Sequence, residues 1–260
     1  MHKKLILLAV LGLLSIGCGE KKTETPAVRP DSSLVRVGTD ATYPPFETVN
    51  VKTGEPDGFD IDIMKSIARI NNWNLEFIIT PFDGIISALK NEKFDCIISA
   101  MTITPERAQN VSFSEPYYLA GQIVAVPLQD STIQSVNDLK GKRIGVQLGT
   151  TGERFAGTLK DIQVFSFDNI GAAFIDMENG RIDAVINDWP TTWDFIRRKG
   201  TAKMVGNLLS EEHYGIAVRK GDTVLLNKIN DAFKIMKSSG EYERLAQKWF
   251  LQPDTADEGK

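Results

Sequence analysis

Arg107 is the residue with the clearest chemistry in this chain. It closes the run 94–107, FDCIISAMTITPER, in which a continuous apolar stretch from Cys96 to Ile98 gives way to Ser99, Thr102 and Thr104. Such an apolar run suits a strand buried on both faces. The hydroxyls after it mark the strand's carboxyl end, where open α/β sheets bind their ligands. A guanidinium at that place matches a carboxylate with two parallel charge-assisted hydrogen bonds, a geometry that lysine lacks. The plainer alternative is an arginine in the first turn of a helix opened by Pro105, paired with a surface acid; exposed pairs of that kind are common and weak.

Other reactive side chains are few: two histidines, His2 and His213, and two cysteines, Cys18 and Cys96. Neither histidine is placed by sequence to activate Cys96, which reads as a small buried hydrophobe. So small a set makes a structural zinc site improbable, and neither a metal nor a cofactor is expected. Asp60 and Asp62 in GFDID resemble a metal-ligand cluster, but Asp60 ahead of an apolar periodic run reads more simply as a helix N-cap. The amides of residues 149–152 at a helix start form an anion-friendly nest. Without the lysine of a phosphate loop, a carboxylate is the expected guest.

The elements that must position these residues alternate. Hydrophobic periodicity predicts strands over 34–38, 75–79 and 94–100 and helices over 61–70 and 85–90. The order then begins again with strands at 122–127, 143–146, 162–167 and 184–187 and helical segments at 136–139, 152–160, 170–179 and 191–199. A strand at 215–219 and helices at 225–238 and 241–250 follow, too few for a third domain. Alternation of this kind predicts largely parallel sheets covered by helices, in two α/β lobes. A chain that crosses between lobes twice makes a two-strand hinge.

Upstream of the lobes, residues 1–17 read as a secretory signal, with Lys3 and Lys4 ahead of an apolar segment too short to span a bilayer. Residues 14–18, LSIGC, resemble a bacterial lipoprotein signal, with Ser15 where Leu, Val or Ile is usual. That implies lipidation of Cys18 and a membrane anchor through acyl chains only. Residues 18–33 read as a flexible tether and 254–260 as a disordered tail. Without Lys3 and Lys4 the mature chain carries 28 basic and 34 acidic residues, a net charge of −6. No basic stripe remains, which argues against nucleic acid.

Eight stretches taken together resemble the periplasmic solute-binding proteins of ABC importers, in their polar amino-acid family. They are VGTDATYPPFE (37–47), GFDIDIMKSIA (58–68), PFDGIISALKNEKFDCIISAMTITPER (81–107), FSEPYY (113–118), DLKGKRIGVQLGTTGE (138–153), GRIDAVINDWP (180–190), YGIAVRK (214–220) and SGEYERLAQKWF (239–250). The resemblance implies a two-lobed type II periplasmic-binding-protein fold. Lobe 1 is expected over 34–121 plus 216–253 and lobe 2 over 122–215, with hinge crossings near Gly121 and His213. It also implies a monomeric, lipid-anchored receptor outside the inner membrane, whose partners are an amino acid and an ABC permease.

Residue by residue, the resemblance assigns Arg107 to the ligand's α-carboxylate, with backbone amides near Thr102 and Thr151. It assigns Asp188 to the α-ammonium, with Ser99 and Thr102 as further acceptors and Ala100 beside them. Tyr43 and Phe82 are the implied aromatic pair around the ligand side chain, Asp40 the acid at its far end, and Gln147 and Thr150 contacts from the second lobe. Two ring faces and an acid suit a guanidinium or an ammonium chain. Arginine is therefore the expected ligand, then lysine, with glutamine the alternative. An enzymatic rival is a cyclohexadienyl dehydratase, which needs a proton donor with a raised pKa; the matched cleft shows no acid beyond Asp40 and Asp188. Phe46 and Trp73 read as core, Glu47 as a turn acid or an outer group, and Trp189 with Pro190 as a rigid turn.

Overall fold

The computed structural model describes residues 33–251. The expected signal, the lipidated Cys18, nearly all of the tether and the tail lie outside the described residues. The chain runs β1 (Leu34–Thr39), β2 (Thr48–Val49), β3 (Pro56–Asp57), α1 (Phe59–Asn71), β4 (Asn74–Ile79), α2 (Phe82–Lys90), β5 (Cys96–Ile97), α3 (Pro105–Asn110), β6 (Val111–Phe113) and β7 (Tyr118–Ala120). It continues with β8 (Gln122–Pro127), a 3-10 turn (Val136–Leu139), β9 (Arg143–Gln147), α4 (Thr151–Thr158), β10 (Gln163–Phe167), α5 (Ile170–Glu178), β11 (Ala184–Asp188) and α6 (Trp189–Lys199). It closes with β12 (Ala202–Val205), β13 (Glu212–Tyr214), β14 (Ala217–Arg219), α7 (Thr223–Ser238) and α8 (Glu241–Phe250).

Two five-stranded sheets result, ordered β4-β1-β5-β14-β6 and β10-β9-β11-β8-β12. In each, one strand runs against the rest: β14 pairs antiparallel with β5 and β6, and β8 with β11 and β12. The other strands share one direction, as strands joined by crossover helices must. The central strands are buried on both faces, with Val124, Ala125, Val126, Ala184, Val185 and Ile186 fully covered. That burial accounts for their unbroken apolar sequences. Helices α7 and α8 pack on α1 against the first sheet.

Between the sheets β7 and β13 pair antiparallel, Glu212 opposite Ala120 and Tyr214 opposite Tyr118. This ribbon is the two-strand hinge. Gly121 ends it, and a Cβ there would lie 2.1 Å from the carbonyl oxygen of Ser210, so only glycine fits.

Two expectations about the elements are corrected. β5 keeps ladder pairing only at Cys96 and Ile97, because the backbone turns into the left-handed region at Ala100, φ 42°. Helix α1 starts at Phe59 with Gly58 before it and no side-chain cap. Asp60, in the helix's first turn, points inward and does not cap.

Candidate functional site

The carboxyl ends of β1, β5, β9 and β11 converge on one narrow cavity, placed where open α/β sheets hold their ligands. Its walls bring together all eleven cleft residues singled out from sequence, and add Glu47.

Arg107 is placed by α3, whose N-cap Thr104 accepts the Arg107 amide hydrogen at 3.1 Å while Pro105 starts the helix. Its guanidinium is buried and donates to the carbonyls of Thr102 at 2.9 Å and Gly149 at 3.1 Å. It also lies 5.2 Å from the centre of the Phe82 ring, a cation–π distance. Burial, and then the like charge of Arg154, lower its pKa to about 10. The surface-pair alternative is therefore excluded: the group is a buried cation held by carbonyls.

Asp188 ends β11 and precedes α6 without capping it. Its carboxylate accepts from the hydroxyls of Tyr43 at 2.8 Å and Tyr214 at 2.5 Å and from the Gln122 amide. Tyr43 lies equally within reach of the Asn187 side-chain oxygen, at 2.6 Å. Burial, and then the nearby charge of Glu212, push Asp188 up to about 7. Arg107 and Asp188 thus come from different sheets and put opposite charges on one cavity.

At the far end, Asp40 accepts from Thr42 and, at 3.1 Å, from the Gln147 amide of the second sheet. Burial raises its pKa against those hydrogen bonds. The Asp40 amide donates to Ser99 Oγ at 3.0 Å, and Ser99 Oγ donates to Glu47 Oε1 at 2.7 Å. Ala100 also lines the cavity, and its amide donates to Asp60 Oδ2 at 2.8 Å, where the Tyr117 hydroxyl joins at 2.9 Å.

Several sequence expectations change here. The cleft is richer in acids than Asp40 and Asp188 alone: Glu47 is fully buried in its wall, with Asp60 behind it and Glu212 beside Asp188. Burial, and then the charge of Asp60, hold Glu47 well above the ordinary carboxyl range, and burial raises Asp60 to about 6. The Gly149 amide is taken by Glu153 Oε2 at 2.7 Å, so that nest is closed by the chain's own carboxylate. Thr150 caps α4 and donates its hydroxyl to the Gln147 carbonyl at 2.7 Å, leaving mainly its backbone for a ligand. Trp189 faces away from the cavity, in a groove with Pro45, Trp193 and Trp249. Of the site residues that sequence reasoning missed, Asp60 had a signal, an acid between Phe59 and Ile61 in an apolar run, where a buried charge must have a purpose, whereas Glu212, between Glu211 and His213, had none.

Contacts across the cleft join both lobes. Besides Arg107 to Gly149 and Gln147 to Asp40, Arg154 of α4 pairs with Glu106 of α3. Gly149, at φ +77°, comes so near α2 that a Cβ would lie 2.9 Å from Cα of Asp83. Among the described residues there is no cluster of His, Cys, Asp and Glu suited to a metal, and no helix is long and apolar enough to cross a membrane.

Comparison with known proteins agrees with this architecture. The family model of bacterial extracellular solute-binding proteins, family 3, matches residues 35–252. ABC transporter arginine-binding protein 1 of Escherichia coli is 34% identical, covering 96% of this chain and all of that protein. The histidine-binding periplasmic protein of Salmonella typhimurium is 35% identical over 83% of this chain and 87% of its own length. An ancestral arginine-binding protein bound to arginine is 43% identical over 84% of this chain and 98% of that one, with a TM-score of 0.81. An ancestral arginine-binding protein bound to glutamine is likewise 43% identical, over 85% of this chain and 99% of that one, with a TM-score of 0.81. An ancestral amino acid-binding protein, a precursor of cyclohexadienyl dehydratase, is 41% identical over 84% of this chain and 96% of its own, with a TM-score of 0.80. The match over nearly the whole described chain and the two-sheet fold agree, and this protein belongs to family 3 of the bacterial extracellular solute-binding proteins.

Proposed function

We propose that this chain is an extracytoplasmic receptor that captures a basic amino acid, arginine first and lysine next, and delivers it to an ABC importer by closing its cleft. The observation that carries the reading is the placement of Arg107 and Asp188 on different sheets around one cavity. A zwitterion leaving water needs both charges met. With one partner on each lobe, the ligand favours the closed form over the open one, which is the differential affinity that closure requires.

The basic side chain follows from the other end. Asp40, with the rings of Tyr43 and Phe82 along the way, offers an anion and two faces to a guanidinium or an ammonium. Glutamine is the alternative, because Asp40 and Gln147 could also serve an amide. The proposed roles at the poles are Arg107 with the amides near Thr102 and Thr151 for the carboxylate, and Asp188 with Ser99 and Thr102 for the ammonium. Names of relatives that bind arginine or histidine support the class. Lipidation at Cys18 and a monomeric state belong to the same proposal.

The receptor reading needs no general acid, and Glu47, the further acid in the wall, accepts from Ser99 and faces Asp60. A thermal-shift screen of the twenty amino acids tests the proposal, since a ligand of the folded state raises its melting temperature by mass action. The largest shift is expected with L-arginine. A shift with glutamine alone would favour the alternative, and no shift with any amino acid would sink the receptor reading. Formation of phenylpyruvate from prephenate would establish the enzyme instead.

A further inference from the structure

We propose that Glu212 is a positioning residue for the ligand's cationic pole, holding the hydroxyls of Thr102 and Thr151 as hydrogen-bond acceptors toward an ammonium and tying the two walls of the cleft together at the hinge. This rests on the amino-acid reading above and assigns a residue that lies behind the cavity wall.

Glu212 begins β13, one of the two hinge strands, and is buried. One of its carboxylate oxygens, Oε2, accepts from the Thr102 hydroxyl at 2.7 Å and from the Thr151 hydroxyl at 2.7 Å. Thr102 follows β5 of the first sheet and Thr151 starts α4 on the second, and both line the cavity. A single oxygen therefore joins the two lobes at the root of the cleft. The other oxygen, Oε1, accepts from Ser210 at 2.8 Å and Gln122 at 3.2 Å. Gln122 in turn reaches Asp188, so the two carboxylates share one amide.

The chemistry follows from counting protons. A threonine hydroxyl has one hydrogen and two lone pairs. Once Glu212 takes the hydrogen of both threonines, only lone pairs remain, and one of those on Thr151 is already met by the Gln122 amide at 3.2 Å. The lone pairs that are left attract an N–H donor and repel a carboxylate oxygen. With Asp188 beside them, these hydroxyls act as acceptors, while the Arg107 guanidinium, held by the Thr102 and Gly149 carbonyls, is the donor of the site. Glu212 thus decides which way round a zwitterion lies.

Calorimetry on the full chain with L-arginine and with 5-guanidinopentanoate, the same molecule without its α-ammonium, tests this. The wild type is expected to prefer arginine strongly. Glu212→Gln keeps the shape and removes the charge, and it should weaken arginine ~10-fold or more while leaving the analogue within about twofold, because the threonine oxygens that it no longer orients as acceptors face a donor only where the ammonium is present. An equal loss for both ligands would make Glu212 a structural brace and overturn the proposal, as would unchanged affinities. If Glu212→Gln does not fold by circular dichroism, Thr151→Val is titrated with the same pair and the same expected split. Should the wild type take a different amino acid, that one and its des-amino counterpart replace the pair. If the wild type binds no amino acid, the receptor reading fails before any variant is made, and the role of Glu212 falls with it.

Discussion

The Gln147 side-chain amide donates to Asp40 Oδ2 across the cleft at 3.1 Å, and the side-chain oxygen Oε1 of Gln147, buried beside it, has no partner among the described residues. A side chain with several N–H donors satisfies both that oxygen and Asp40, which a hydrocarbon cannot. In the proposed receptor this pair would meet the far end of the ligand.

Asp40→Asn is expected to lower arginine affinity by roughly 1.5–3 kcal/mol, about ten- to a hundredfold, since a hydrogen bond to a charged group is replaced by a neutral one. Glutamine affinity should fall less. Calorimetry with arginine, lysine, histidine and glutamine measures the change, and unchanged arginine binding would remove Asp40 from the pocket.

Arg107→Lys should bind little better than Arg107→Ala. The guanidinium holds two carbonyls, of Thr102 and Gly149, and lies on the Phe82 face, and an ammonium cannot reproduce that fork. Each variant is expected to lose at least ~100-fold in affinity. A lysine variant within tenfold of wild type would mean that point charge suffices.

Affinity should depend on pH through Asp188. Its pKa is raised to about 7 from an ordinary 3.8, so between these values the folded protein holds a proton that the unfolded chain does not. Stability from this group is therefore greatest in acid and falls as pH rises toward 7. An ammonium neighbour favours the ionised form, so binding releases the proton. Ligand affinity should weaken by up to about tenfold per unit as pH drops below 7. Tyr43, Tyr214, Glu212 and Arg107 face the same carboxylate, and Asp40, Glu47 and Asp60 are further carboxyls of the wall with raised pKa, so Asp188→Asn, which leaves those in place, isolates the effect. Melting temperatures with and without ligand, from pH 5 to 8, should diverge as pH rises; a constant gap would contradict this.

Asp60→Ala is expected to destabilise the fold by about 3 kcal/mol, because it leaves the buried Ala100 amide and Tyr117 hydroxyl without their acceptor. The left-handed turn at Ala100 loses its tether at the same time. Urea denaturation of the variant reads the cost, and a loss below 0.5 kcal/mol would show that Asp60 does not hold the turn.

Phe46→Ala should cost roughly 3–5 kcal/mol. The ring is fully buried, with Phe59, Tyr118, Tyr214 and Phe250 within 6.2 Å of its centre. Tyr214 and its neighbour Tyr43 hold Asp188, so ligand affinity should fall with stability. A thermal scan with calorimetry checks both.

How much was legible differs from residue to residue. The strands at 122–127 and 184–187 announced themselves by their apolar runs IVAV and AVI, since a strand covered on both faces has no polar side. The hinge strands, of three residues each, were too short to show a period. Of the cavity lining, Ser99, Thr102 and Arg107 were legible because hydroxyls and a charge gather at one strand end, while Asp40, Tyr43, Phe82, Gln147, Thr150, Thr151 and Asp188 were legible only through the family resemblance. Glu47 has no role that its own neighbours in the sequence fix, because its partners Ser99 and Asp60 lie 52 and 13 residues away.

From the order of its residues alone this chain determined two α/β lobes, a buried-strand end carrying Arg107, and an acid at Asp188, because periodicity and motif spacing are local properties. Only the tertiary structure decided that Glu212 would clasp Thr102 and Thr151, that Asp60 would face inward, and that Glu153 would close the Gly149 nest. A buried charge takes its role from whichever donors the folded chain brings to it, and here those donors come from the other lobe or from another element of the same one.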